Sequence, residues 1–214
     1  ATLGAAVNNY LTTVGVQTPL VPNDLTENNK INVIQDAMTV VLKTLGLDLS
    51  DDSLSETPNR VAKMFVQELY WGLDFDKFPK CTTVSNKMGY DEMVIERNIK
   101  VMSDCEHHLR TIAGTAHIAY IPKDKVLGLS KMPRIVDYFA RRPQIQERLC
   151  EQVFHALSFI LGTEDVAVVI EAEHFCVKQR GVEDATASTI TSKLGGCFKS
   201  DPAVRAEFMH LIKQ

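Results

Sequence analysis

The sequence predicts an α+β protein built around an antiparallel sheet. Three observations lead there. Apolar residues recur every three or four positions through the first third of the chain, the period changes to two from about residue 81, and the later strand-like runs alternate with helix-like ones. The 214 residues divide on this reading into a helical region over 1–80 and a sheet-bearing region over 81–214.

In the stretch NNKINVIQDAMTVVLKTLG, Ile31, Ile34, Met38, Val41, Leu42 and Leu45 form one helical stripe, and Gly46 is a natural stop. In SETPNRVAKMFVQELYWG, Thr57 can cap a second helix and Pro58 suits its first position. Val61, Met64, Phe65, Leu69 and Trp71 then make its apolar face, with Gly72 at the end and Arg60 and Lys63 near the start. DEMVIERNIKVMSD alternates as a strand, and GTAHIAYIP is a second one closed by Pro122. SKMPRIVDYFARRPQIQERLCEQVFHALSFILG returns to helix and breaks at Pro143, because the residue before a proline is pushed away from helical geometry. DVAVVIEAEHFCVKQRG is the strongest strand, ATASTITSKLGG is β-branched enough to pair with it, and DPAVRAEFMHLIKQ makes a terminal helix.

Composition narrows the function classes. An apolar share of 45 % with 23 % charged residues is that of a globular protein with a real core. The net charge of −4 argues against a general nucleic-acid binder. No eighteen-residue apolar run is present, so no transmembrane helix and no membrane partner are expected. The first residues lack the basic-then-apolar pattern of a signal peptide. Five scattered cysteines do not suggest a disulfide framework, and a cytoplasmic location is expected.

The chemistry concentrates in SDCEHHLR. Cys105 and His108 are three apart, a spacing that a tight turn or a first helical turn brings to one side. Two ligands do not hold zinc; the third should come from elsewhere. On the strongest strand Val166, Val168, Ile170, Ala172, His174 and Cys176 share a face, so an apolar row runs into a histidine and a cysteine. Cys105, His108 and Cys176 would bind Zn2+ and leave one tetrahedral position open, as catalytic zinc sites do. His107 cannot easily point the way of His108 and is free for acid–base work, and His174 has the same option. Cys81, Cys150 and Cys197 read as small buried hydrophobes, and His117, His155 and His210 as structural or surface residues.

A second constellation suits a polyphosphate: Ser130, Lys131 and Arg134 in GLSKMPR, and Arg180 in KQRG. Arg141, Arg142 and Lys178 read better as a solvated charged face. Gln146 and Glu147 at a helix start could read the donor edge of a purine, or simply lie on the surface. No Walker-type loop, G-x-G-x-x-G, H-E-x-x-H or P-C-x-x-C is present, so a zinc hydrolase acting on a nucleotide would not be built on those templates.

Taken together, ETPNRVAKM, CEHHL, AYIP, GLSK, RIVDYFARRPQIQERL and EAEHFCVKQRGV resemble GTP cyclohydrolase I of the bacterial type, from about residue 26 onward. That resemblance implies a tunnelling fold, an antiparallel four-stranded sheet with helices on one face, carried by residues 81–214 behind an N-terminal helical part. It implies hydrolytic opening of the GTP imidazole ring, release of C8 as formate, and formation of 7,8-dihydroneopterin triphosphate, the first step toward tetrahydrofolate. It implies a toroidal homodecamer with active sites at subunit boundaries. By motif, Cys105, His108 and Cys176 correspond to the zinc ligands and His107 and His174 to the proton carriers. Ser130, Lys131, Arg134, Arg180 and Lys63 correspond to triphosphate contacts, and Glu147 assisted by Gln146 to the guanine anchor. Pro133 departs from the usual form of its motif, and it is tolerable if it falls in the first turn of a helix.

Overall fold

The structure is a computed structural model and describes residues 2–213. Helix α1 spans Leu3–Thr13, and the Thr2 hydroxyl caps it by accepting the Ala5 N–H at 3.2 Å. Helix α2 spans Glu27–Thr44 and is capped in the same way by Thr26. Helix α3, Thr57–Lys63, begins one residue before the sequence pattern suggests: Glu56 takes the cap position without a side-chain bond, and Thr57 is already helical. It continues as a π-turn over Met64–Leu69 and then as short 3-10 turns.

The remaining elements follow as β1 (Thr83–Ser85), β2 (Val94–Cys105), β3 (Thr111–Tyr120), β4 (Lys125–Leu127), α4 (Lys131–Ala140), β5 (Pro143–Gln144), α5 (Gln146–Leu161), β6 (Val166–His174), α6 (Phe175–Lys178), β7 (Thr189–Leu194), α7 (Gly196–Ser200) and α8 (Pro202–Ile212). The main sheet has the order β5-β2-β3-β6-β7, antiparallel throughout except for the short parallel pairing of β5 with β2. The helical run does break at Pro143, which becomes the first residue of β5. Pro133 is the third residue of α4, where a missing N–H costs nothing because first-turn amides have no helical partner.

Helices α4 and α5 cover one face of the sheet. Val101, Ile112, Ala116 and Ile118 of β2 and β3, and Val166, Val168, Ile170 and Ala172 of β6, pack there against Ile135, Phe139, Val153 and Leu157. The opposite face is covered only at one end, where Ala119, Ala167 and Val169 meet Phe198 and Phe208 of α7 and α8. Burial on both faces at that end explains why the first five residues of β6, VAVVI, are all apolar, while Glu171 and Glu173 alternate outward beyond it. An antiparallel four-stranded sheet with helices on one face is the arrangement expected of a tunnelling fold.

The predicted stripe of α2 is only partly met. Ile31 is buried, Ile34, Met38 and Leu42 are half-buried, and Val41 and Leu45 stand 47 % and 70 % exposed. The helix lies outside the sheet layers and rests mainly on α3 and the π-turn, so only one side of its stripe finds a partner in this chain. No helix among the described residues is long and apolar enough to cross a membrane.

Register fixes what matters for the site. Asp104 pairs with Thr111 across the β2–β3 connection, and Ile112 pairs with His174 at the end of β6. The turn carrying the two adjacent histidines and the exit of β6 therefore lie at the same end of the sheet.

Candidate metal centre

Cys105 is the last residue of β2 and is buried. The chain then reverses tightly. Cys105 N–H donates to Arg110 O and Leu109 N–H donates back to Cys105 O, both at 2.8 Å, while Glu106 N–H reaches Gln144 O of β5 at 2.9 Å. Leu109 adopts a left-handed φ of 50° to close the loop. The reversal brings His108 back over Cys105, as the spacing predicts. Cys176 arrives from the other side. Here the structure corrects the sequence reading: β6 ends at His174, and Cys176 sits in the single turn of α6 rather than on the strand. The helical turn swings its sulfur toward the loop.

The ligand atoms of Cys105, His108 and Cys176 all lie within 4.8 Å of one another, and among the described residues no further acid, histidine or cysteine joins them. Tetrahedral zinc with two sulfurs and a nitrogen needs ligand separations of about 3.5–4 Å, so a small inward adjustment suffices. Burial, and then the neighbouring Cys105 sulfur, push the Cys176 thiol above its usual range. Two thiolates this close need a cation between them, and soft sulfur and imidazole donors suit zinc. The donor set fits the metal.

His107 stays outside this triangle, with Nδ1 3.5 Å from Cys105 Sγ and its ring exposed. Arg180 donates to His108 Nε2 at 3.1 Å, so one of the expected phosphate cations stands beside the candidate metal ligands. His174 is half-buried, and burial pushes its pKa down while the Glu147 charge opposes the shift. Glu147 itself is exposed in the first turn of α5. Cys105, His107, His108, His174, Cys176, Arg180 and Glu147 are thus gathered in one corner.

Gln146 is the exception. The family resemblance puts its amide beside the guanine edge, but Gln146 is 2 % exposed and its amide bonds within the chain. Its Nε2 donates to Thr189 O at 2.9 Å and Ile170 O at 3.1 Å, and its Oε1 meets His174 Nε2 at 2.7 Å. Its amide N–H groups thus face acceptors on neighbouring strands, and its oxygen faces His174.

Ser130, Lys131 and Arg134 are not in the corner. They lie at the start of α4, where Arg134 and Pro133 line a cleft of about 450 Å3 with Glu96–Lys100 of β2. Cys105 is at the far end of β2, and Ile99 to Cys105 spans about 20 Å of extended strand. Lys63 is exposed at the end of α3.

A family model described as GTP cyclohydrolase I matches residues 34–213. The chain belongs to the GTP cyclohydrolase I family. Three relatives named GTP cyclohydrolase 1 illustrate the likeness. That of Aeromonas salmonicida is 56 % identical over 199 residues, covering 93 % of this chain and 91 % of the relative. That of Aeromonas hydrophila is 56 % identical over 200 residues, covering 94 % and 92 %. That of Shewanella amazonensis is 56 % identical over 196 residues, covering 92 % and 91 %.

Within this family member, sequence reasoning misses two features of the corner. Arg148, in the first turn of α5, grips the Glu106 carboxylate with Nη1 at 2.5 Å and Nη2 at 3.4 Å, tying the histidine turn to the helix that bears Glu147. Tyr70 donates to Asp104 Oδ2 at 2.9 Å, tying the end of the π-turn to the residue before Cys105. Both are contacts between segments distant in the chain, and no local pattern announces them.

Proposed function

We propose that the chain is a zinc-dependent GTP cyclohydrolase that opens the imidazole ring of GTP, releases C8 as formate and forms 7,8-dihydroneopterin triphosphate. The observation that supports this most is the Cys105–His108–Cys176 triangle with two further histidines beside it, in a chain of this family. When bound, zinc supplies a Lewis acid and a source of hydroxide at neutral pH. The rest falls to the side chains. His107, next to the triangle and open to solvent, delivers a proton to purine N7 as water oxygen adds to C8. His174 moves protons as the ring opens and in the later steps at the ribose. Glu147 accepts hydrogen bonds from the ring N–H and amino group of guanine, and adenine would leave that carboxylate unpaired.

Arg180 holds phosphate from the metal side, while Ser130, Lys131, Arg134 and Lys63 supply the remaining triphosphate contacts. The separation of the start of α4 from the metal corner supports a site completed across a subunit boundary, within a homodecamer of this chain. The test is to incubate the purified protein with GTP alone. Formate and a pterin that fluoresces after oxidation are the expected products; zinc-loaded protein that yields neither would overturn the reading.

A further inference from the structure

We infer that Gln146 is a positioning residue for His174, one that holds the imidazole as its Nε2–H tautomer and leaves Nδ1 as the ring's proton-accepting atom. An amide nitrogen and oxygen look alike in outline, but their partners differ. The nitrogen of Gln146 faces two backbone carbonyls, Ile170 O at 3.1 Å and Thr189 O at 2.9 Å, with Thr191 Oγ1 at 3.2 Å. Carbonyl oxygens only accept, so the group facing them must be the NH2. The other end is then the oxygen, and it lies 2.7 Å from His174 Nε2. An amide oxygen only accepts, so Nε2 must carry the hydrogen. A neutral ring has one N–H, and Nδ1 is left with the lone pair.

The arrangement is rigid for a structural reason. Ile170 belongs to β6 and Thr189 and Thr191 to β7, so the amide is braced by two adjacent strands, and His174 is the last residue of one of them. Gln146 is the first residue of α5, next to Glu147. One helix start therefore offers a buried amide to the proton carrier and an exposed carboxylate to solvent. Turning the amide over would set its oxygen against two carbonyls and its NH2 against the ring, leaving buried polar groups mispaired.

The kinetic half of this inference rests on the proposed GTP cyclohydrolase activity; the tautomer does not. The direct experiment is magic-angle-spinning 15N spectroscopy of the zinc-loaded protein with labelled histidine, without GTP. The His174 signals are assigned by their loss in His174→Asn. The expected spectrum shows His174 protonated at Nε2 and bare at Nδ1. The same spectrum of Gln146→Met should show a mixture of tautomers, and its kcat should fall at least tenfold with KM for GTP changed less than twofold. A wild-type ring protonated at Nδ1 would overturn the assignment without any variant having to fold. So would a tautomer unchanged in Gln146→Met, or a raised KM with kcat intact, which would mark Gln146 as a base contact. Wild-type protein that shows the expected tautomer but makes no formate would sink the proposed function and leave this assignment standing.

Discussion

His107 and His108 are neighbours in the chain, yet the turn sends one into the Cys105–Cys176 triangle and leaves the other beside it. The division follows from the reversal at Leu109, which brings His108 back to Cys105 and Cys176 and leaves His107 outside them. It makes a sharp prediction. His107→Ser should keep its zinc and lose turnover by about a hundredfold or more, the usual scale of a lost general acid. Cys176→Ser should lose the metal itself. Zinc content by atomic emission, read beside formate release, separates the two; equal zinc loss in both would mean the roles are misassigned. At this scale much was legible in the sequence. Soft ligands at a turn spacing and a histidine and cysteine after an apolar row point to the triangle. Gln146 was not legible, because its partners are backbone carbonyls, and no sequence pattern shows where a neighbouring strand turns its oxygens.

At the scale of elements, the corner depends on how a loop is held. Arg148 and Glu106 are 15 % and 27 % exposed at their side chains, so their pair is partly shielded from solvent. Arg148→Met should leave the Glu106 carboxylate unpaired, costing about 1–3 kcal/mol in stability. It should also weaken zinc retention, because the turn bearing His107 and His108 loses its tie to α5. Chemical denaturation and a competing chelator measure the two effects, and neither changing would mean the pair is incidental. A second element-level prediction concerns the bulge in β2 between Glu96 and Ile99. Asn98 adopts a positive φ there, and its N–H donates to His117 Nδ1 at 3.3 Å. Burial holds His117 below its usual 6.5, Glu171 opposing the shift and Arg97 adding to it. The unfolded chain then binds a proton that the native state refuses, so stability is present above pH 6.5 and is lost as pH falls below it. His155, also held down by burial, adds to the same slope. His117→Gln should therefore reduce the loss of stability between pH 6.5 and 5.5 without abolishing it; an unchanged slope in denaturation curves would contradict the assignment. The four long strands β2, β3, β6 and β7 were readable from periodicity, whereas the short β1, β4 and β5 carry too few residues to show one. The end of β6 was not, since FCVK continues the apolar pattern while folding as a helical turn.

Across the whole molecule, the same chain presents a candidate metal corner at one end of β2 and, at the other, a cleft lined by Arg97, Lys100 and Arg134 together with Glu96 and Asp137, and an outer helix whose Val41 and Leu45 stay exposed among the described residues. The sequence shows all three stretches but not their separation, because distance across a sheet depends on register, and register is set by pairings between remote residues. If neighbouring copies complete one site, two inactive variants should rescue each other. Arg134→Ala mixed with Cys105→Ser, after dissociation and reassembly, should recover up to about a quarter of wild-type activity, since random mixing pairs two intact halves that often. No recovery despite demonstrated subunit exchange would place the site within one chain. The most direct test of the central claim is a zinc titration of metal-stripped protein in the presence of GTP, with bound zinc and released formate measured together. Formate release should rise in proportion to bound zinc and saturate at one ion per chain. Full activity in the stripped protein, or none at one zinc per chain, would contradict it.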